Sequence, residues 1–132
     1  CLWHVLEHLT NPKEEILKLK ALLKNDGILV IAVPNFKSHD AKYYQEFWAA
    51  YDVPRHLWHF SRNGIKKLFL QFGLNLVSTK PLIFDAYYVS LLSEKNKTGS
   101  SNFLKALYRG WISNWKAKES SEYSSLVYFF KN

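Results

Sequence analysis

The sequence predicts an α/β domain built on a mixed sheet, and three observations carry that expectation. Residues 12–24 repeat apolar side chains at helical spacing and close at Gly27. Residues 28–33, Ile28-Leu29-Val30-Ile31-Ala32-Val33, form an unbroken apolar run, as expected of a strand buried on both faces of a parallel sheet. Residues 74–79 and 125–130 read as later strands that could close the same sheet antiparallel. At 132 residues, 48% apolar and 17% aromatic, the chain is one domain's worth of material with ample stock for a packed core.

The elements follow in order. The opening stretch His4-Val5-Leu6-Glu7-His8-Leu9 crowds two imidazoles and a carboxylate into one short run. If helical, it would set His4 and His8 one turn apart on one face, with Glu7 beside them. Asn11 is a cap, Pro12 suits the first helical position and Glu14 can bond back; Ile16, Leu19, Leu22 and Leu23 then make the apolar face. Pro34-Asn35 ends the following strand abruptly, leaving a loop at the strand's carboxyl end, where open α/β sheets bind ligands.

Residues 39–60 are dense in aromatics (Tyr43, Tyr44, Phe47, Trp48, Tyr51) and run into Asp52-Val53-Pro54-Arg55-His56-Leu57-Trp58-His59-Phe60. Two readings stand: a lid or pocket wall, or an aromatic cluster bracing a long connection. Ser61 caps a further helix through Ile65, Leu68, Phe69 and Phe72 that stops at Gly73. Asp85 to Ser93 reads as a short helix and Lys95 to Asn102 as a mobile polar loop. Leu104, Leu107, Tyr108, Trp111, Ile112 and Trp115 form an amphipathic stripe, expected to dock on the sheet, with a basic membrane-surface helix as the alternative.

The formal charge is +7, from 18 Lys and Arg against 11 Asp and Glu. It favours anionic contacts, but the basic residues are spread out, which suits a solvated surface equally. The single cysteine, Cys1, excludes an internal disulfide framework and fits a reducing, cytoplasmic setting. No apolar run approaches the ~20 residues of a membrane helix. With no methionine in the sequence, the natural start is expected to lie upstream.

Trp3 to Pro12, then Leu22-Leu23-Lys24-Asn25-Asp26-Gly27, then Val33-Pro34-Asn35 resemble the second half of class I S-adenosylmethionine-dependent methyltransferases. Within them, Asp52-Val53-Pro54-Arg55-His56-Leu57 with Phe60-Ser61 and the helix to Gly73 is similar to the group related to the ubiquinone-biosynthesis O-methyltransferases. The resemblance implies a truncated Rossmann-like methyltransferase fold: a mixed sheet with an antiparallel carboxyl-terminal strand and helices on both faces. Residues 1–9 would follow the fourth strand and residues 28–33 would be the fifth. Residues 74–79 and 125–130 would be the sixth and seventh, with the seventh between the fifth and sixth. The five glycines never form a glycine-rich cofactor loop, so residues 1–132 would be the carboxyl-terminal portion of one domain whose cofactor-binding half is absent, and inactive alone.

The same resemblance implies S-adenosylmethionine as cofactor beside Leu2 and Trp3 and a small-molecule methyl acceptor; the aromatic stretch with its arginine offers Tyr51, Arg55 and Trp58 as candidate substrate-binding residues. Glu7, His8 and His56 are the candidate catalytic residues, and histidine suits proton removal because it titrates near neutral pH. For Glu7 and His8 a structural role, bracing the turn after the fourth strand, stands beside this. No metal is expected; the alternative is a divalent ion on Glu7, His8 and His56, implied by a similarity to small-RNA 2′-O-methyltransferases. His4-x-x-Glu7-His8 also matches the inverted zinc-peptidase pattern, but its flanks do not continue as a long helix. Nucleic acid is not an expected partner, and an exposed sheet edge would invite self-association. The rival from another class is a non-catalytic basic module for nucleic acid, an anionic membrane surface or a protein.

Overall fold

Asn11 opens the first helix as read from sequence: its side chain accepts from the Glu14 amide, and Pro12 takes the first position of α1 (Pro12–Leu22). In the computed structural model, which describes residues 1–100 and 102–132, α1 ends at Leu22, two residues before the expected boundary. Leu23 is already extended, and Gly27 closes a separate turn onto the Lys24 carbonyl. The apolar run becomes β2 (Leu29–Pro34), which pairs in parallel with the two-residue β1 (Leu2–Trp3) and antiparallel with β4 (Ser125–Lys131). β3 (Asn75–Pro81) joins the far side of β4, antiparallel, with an irregularity between Leu76 and Ser78. The order is β1-β2-β4-β3, so the last strand lies between the second and third. That is the strand arrangement the Rossmann-like methyltransferase resemblance implies; among the described residues it is a four-stranded mixed sheet with one parallel pair, accompanied by five α-helices.

One face of this sheet carries the main core. Leu29, Ile31 and Val33 of β2 and Leu126, Tyr128 and Phe130 of β4 project together, because alternate residues share a face. Against them pack Ile16 of α1 and Ile65 and Phe69 of α3 (Arg62–Leu70). Ser61 caps α3 by accepting the Gly64 amide, and Gly73, at φ +72°, reverses the chain into β3. Lys20 Nζ donates to the Phe72 carbonyl at 2.6 Å, joining the two helices' ends.

The remaining helices form a cap beyond the carboxyl end of β2. They are α2 (His39–Tyr44), two 3₁₀ turns at Gln45–Phe47 and Ala49–Tyr51, α4 (Asp85–Thr98) and α5 (Phe103–Ser120). Two buried carboxylates organise them. Asp40 accepts from Trp48 Nε1 at 2.8 Å, Ser113 Oγ at 2.6 Å and Ser124 Oγ at 2.7 Å. Glu94 accepts from the Tyr44 hydroxyl at 3.0 Å and Lys105 Nζ at 2.9 Å. Burial first, then the Glu94 carboxylate, holds the Tyr44 phenol protonated well above its ordinary range.

The structure departs from the sequence reading in three places. Lys95–Thr98, expected in a mobile loop, continue α4, which runs 14 residues and ends at Gly99 with φ +75°. The reason is Glu94, a polar residue buried by partners on α2 and α5 that local sequence does not reveal; Ser101 of that segment lies outside the described residues. The second departure is α5. It buries Ala106, Gly110, Ser113, Asn114 and Ala117, while Leu104, Leu107, Tyr108, Trp111 and Trp115 face out. Its aromatic stripe therefore does not dock on the sheet. The third is residues 4–9, which are no continuous helix: only Leu6–His8 make a 3₁₀ turn.

Candidate active site

The carboxyl ends of β1 and β2 open into a cleft of about 580 Å³. Trp3, His4 and Pro34 line it from the sheet, Asp52, Arg55 and His56 from the loop after the cap's second 3₁₀ turn, and Asp85 and Tyr88 from α4. This volume falls within the range of small-molecule sites, and its position is where parallel strands present ligands.

His4 turns the chain from β1 into the 3₁₀ segment at φ +50°, a left-handed conformation costing a side-chain-bearing residue about 1–2 kcal/mol. Two carboxylates hold it there: Nδ1 lies 3.2 Å from Glu7 Oε1 and Nε2 lies 3.2 Å from Asp85 Oδ2. The hydrogen bond to Asp85, then that to Glu7, outweigh partial burial and raise the imidazole from 6.5 to about 9. His4 is therefore a cation at neutral pH, bridging the sheet to the first turn of α4.

Glu7 is buried, and its backbone carbonyl accepts from the amides of Leu57 at 2.8 Å and Trp58 at 3.2 Å. This stitches the segment 52–58 against the end of β1. His8 Nδ1 donates to the Arg55 carbonyl at 3.0 Å, and His56 Nδ1 to the Ala50 carbonyl at 2.8 Å. A carbonyl can only accept, so in each neutral ring Nδ1 carries the hydrogen and Nε2 keeps a lone pair. The two rings meet edge to face at 4.6 Å. Beside them, Glu7 Oε2 is buried with no hydrogen-bond partner among the described residues. Glu7, His8 and His56 each offer one ligand atom, all within 4.8 Å of one another.

The structure thus brings together Glu7, His8 and His56, places His56, Trp3 and Arg55 on the cleft wall, and leaves Leu2 half-buried beneath it, paired with Ile31. Arg55 is tied to Asp52, with Nη2 donating to Oδ1 at 2.6 Å. Tyr51 and Trp58 are not brought to the cleft. Tyr51 packs edge to face on Trp48 and His59 at 5.0 Å each, and Trp58 Nε1 donates to the Leu9 carbonyl at 2.7 Å. Sequence reasoning left His4 and Asp85 out of the site. The signal for His4 was its place in the titratable cluster; Asp85 gave none, because its partner lies at the other end of the chain.

A mixed sheet with this strand order, and a cleft at the carboxyl ends of its parallel strands, defines a Rossmann-like α/β protein. Residues 1–79 match the family described as "Methyltransferase domain", more than half of the chain, and the chain belongs to that family. No curated protein matches it. Among the described residues, no helix is long and apolar enough to cross a membrane.

Proposed function

We propose that this chain is the carboxyl-terminal portion of one S-adenosylmethionine-dependent methyltransferase domain, of the group related to ubiquinone-biosynthesis O-methyltransferases, and acts on a small-molecule acceptor in a cytoplasmic setting. The observation that carries this reading is the cleft at the carboxyl ends of β1 and β2, walled by Trp3 and His56 within the family match. The edge position of the two-residue β1 supports a sheet that continues beyond it, and the fragment alone is inactive on this reading. The cleft's size and its exposed indole fit a flat, cationic nucleoside. When bound, S-adenosylmethionine supplies an electrophilic methyl on a sulfonium.

The chain's own residues do the rest. Trp3 and Leu2 flank the donor, and Arg55 orients the acceptor while Tyr51 and Trp58 hold the loop that carries it. His56, fixed by the Ala50 carbonyl, holds Nε2 free to take the acceptor's proton, which would leave the acceptor oxygen nucleophilic toward the methyl that the cofactor would supply. Glu7 and His8 position the loop bearing His56. The test is release of S-adenosylhomocysteine by the full-length protein over a panel of hydroxylated acceptors. His56→Ala should lower kcat about 10²–10⁴-fold with unchanged donor affinity; an unchanged kcat contradicts the assignment.

The unpartnered Glu7 Oε2 favours a second reading, in which Glu7, His8 and His56 hold a divalent cation. Their carbonyl-fixed Nε2 lone pairs and buried carboxylate fit a borderline ion, with the carbonyls as the outer support that metal-binding histidines need. Such an ion would supply Lewis acidity next to the acceptor. Calorimetry with Zn²⁺ or Mn²⁺ should show one site lost in His56→Ala; absence of heat contradicts this reading.

A further inference from the structure

We propose that the outer face of α4 and α5 is a docking surface for an anionic lipid bilayer, which Phe84, Leu104, Trp111 and Trp115 enter while Lys116 and Lys118 meet headgroup phosphates. These four apolar residues are 85%, 79%, 55% and 56% exposed, far more than isolated surface apolar residues require explanation for. They cannot turn inward. Ser113 is bonded to Asp40 and Asn114 Nδ2 donates to the Ile83 carbonyl at 2.9 Å. Gly110 lies so close to Tyr87 that α5 has one way to seat. The stripe is locked outward.

The charge around it selects the occupant. α5 carries one carboxylate, Glu119, against Lys105, Arg109, Lys116 and Lys118. Lys105 is engaged by Glu94, and the Arg109 guanidinium stacks 3.8 Å over Tyr43. Lys116 and Lys118 are exposed, and neither meets a carboxylate among the described residues. Lys118 lines the same groove of about 210 Å³ as Trp111 and Trp115, and a lysine stem can lie on apolar surface while its ammonium reaches outward. A second copy would bring the same positive charge to this face, on a chain of net +7. An anionic bilayer complements it, with indoles at the depth they prefer and lysines at the phosphates. Tyr88 lines both the cleft and a second groove, shared with Phe84 and Leu107, so the Phe84 end of the docked face adjoins the candidate active site.

Vesicle co-sedimentation of the full-length protein tests this, and its readout is independent of methyl transfer. The protein should sediment with phosphatidylglycerol-containing vesicles, less so as salt rises, and poorly with phosphatidylcholine alone. Trp111→Ser with Trp115→Ser should weaken binding at least about tenfold with an unchanged melting temperature, since both side chains are exposed. Lys116→Gln and Lys118→Gln should each cost about fivefold on anionic vesicles only. Absence of sedimentation with anionic vesicles, or binding indifferent to both pairs of substitutions, overturns the proposal. So does a dimer that Trp111→Ser with Trp115→Ser dissociates without any vesicle binding, which would make a second copy the occupant.

Discussion

Phe69 of α3 and Trp111 of α5 are large aromatics on helices that both carry an apolar stripe, yet Phe69 is sealed against Phe130 at 4.2 Å and Trp111 faces water. The two regions they belong to are held by different chemistry. The sheet body buries aliphatic and aromatic side chains of β2, β4, α1 and α3 together, so its inward faces are apolar. The cap buries a smaller cluster around Tyr44, Trp48 and Val89 and is tied together by Asp40 and Glu94 and by close helix approach at Gly110, so on α5 small and polar residues mark the inward face instead. Apolar periodicity says which way a helix faces only where the partner is apolar. The candidate site lies on the seam, where His4 of the body is clasped by Asp85 of the cap.

That contrast can be broken or sharpened in a graded series. Phe69→Ala should remove about 3–5 kcal/mol of unfolding free energy in urea denaturation, with both regions melting together. Asp40→Ala strands three buried donors and should cost about 3 kcal/mol. It should also shift the Trp48 indole NH resonance while leaving those of the β2–β4 amides in place. Gly110→Ala adds a Cβ at 2.7 Å, 2.9 Å and 3.0 Å from Tyr87 Cδ1, Cα and N. The two backbone atoms cannot swing aside, so the clash outweighs the helix propensity gained, and a loss of about 2 kcal/mol is expected. Trp111→Ala, next in sequence and far larger in volume, should change stability by less than about 0.5 kcal/mol. If the tryptophan costs more than the glycine, the account of the cap is wrong.

The seam gives a pH-dependent effect of intermediate size. His4 is raised from 6.5 to about 9, so its contribution to stability is complete below 6.5 and is lost as pH rises through 9. Since about a third of each of His4 and Asp85 remains open to water, about 1 kcal/mol is expected. Melting temperatures measured from pH 6 to 9.5 should fall in the native protein and flatten in His4→Gln.

The sheet body was legible in the sequence. Asn11-Pro12, Ser61 with Gly73, and the run ending at Val33 each carry their signal within a few residues, and the order of the last two strands followed from the family resemblance. The cap was not, because the partners that bury Glu94 and Ser113 lie in other elements: Tyr44 is 50 residues from Glu94, and Asp40 is 73 from Ser113. The site divides the same way. Glu7, His8 and His56 were readable as a titratable set, and the fold brings them together. Tyr51 and Trp58 looked like pocket wall by composition, yet their polar groups and rings are spent bracing the loop behind it.

The most direct test of the central claim is calorimetric titration of the full-length protein with S-adenosylmethionine, comparing Trp3→Ala with Trp111→Ala. A donor site at the carboxyl end of β1 predicts that Trp3→Ala raises Kd at least about tenfold while Trp111→Ala leaves it unchanged. Equal affinity for the native protein and Trp3→Ala would contradict it.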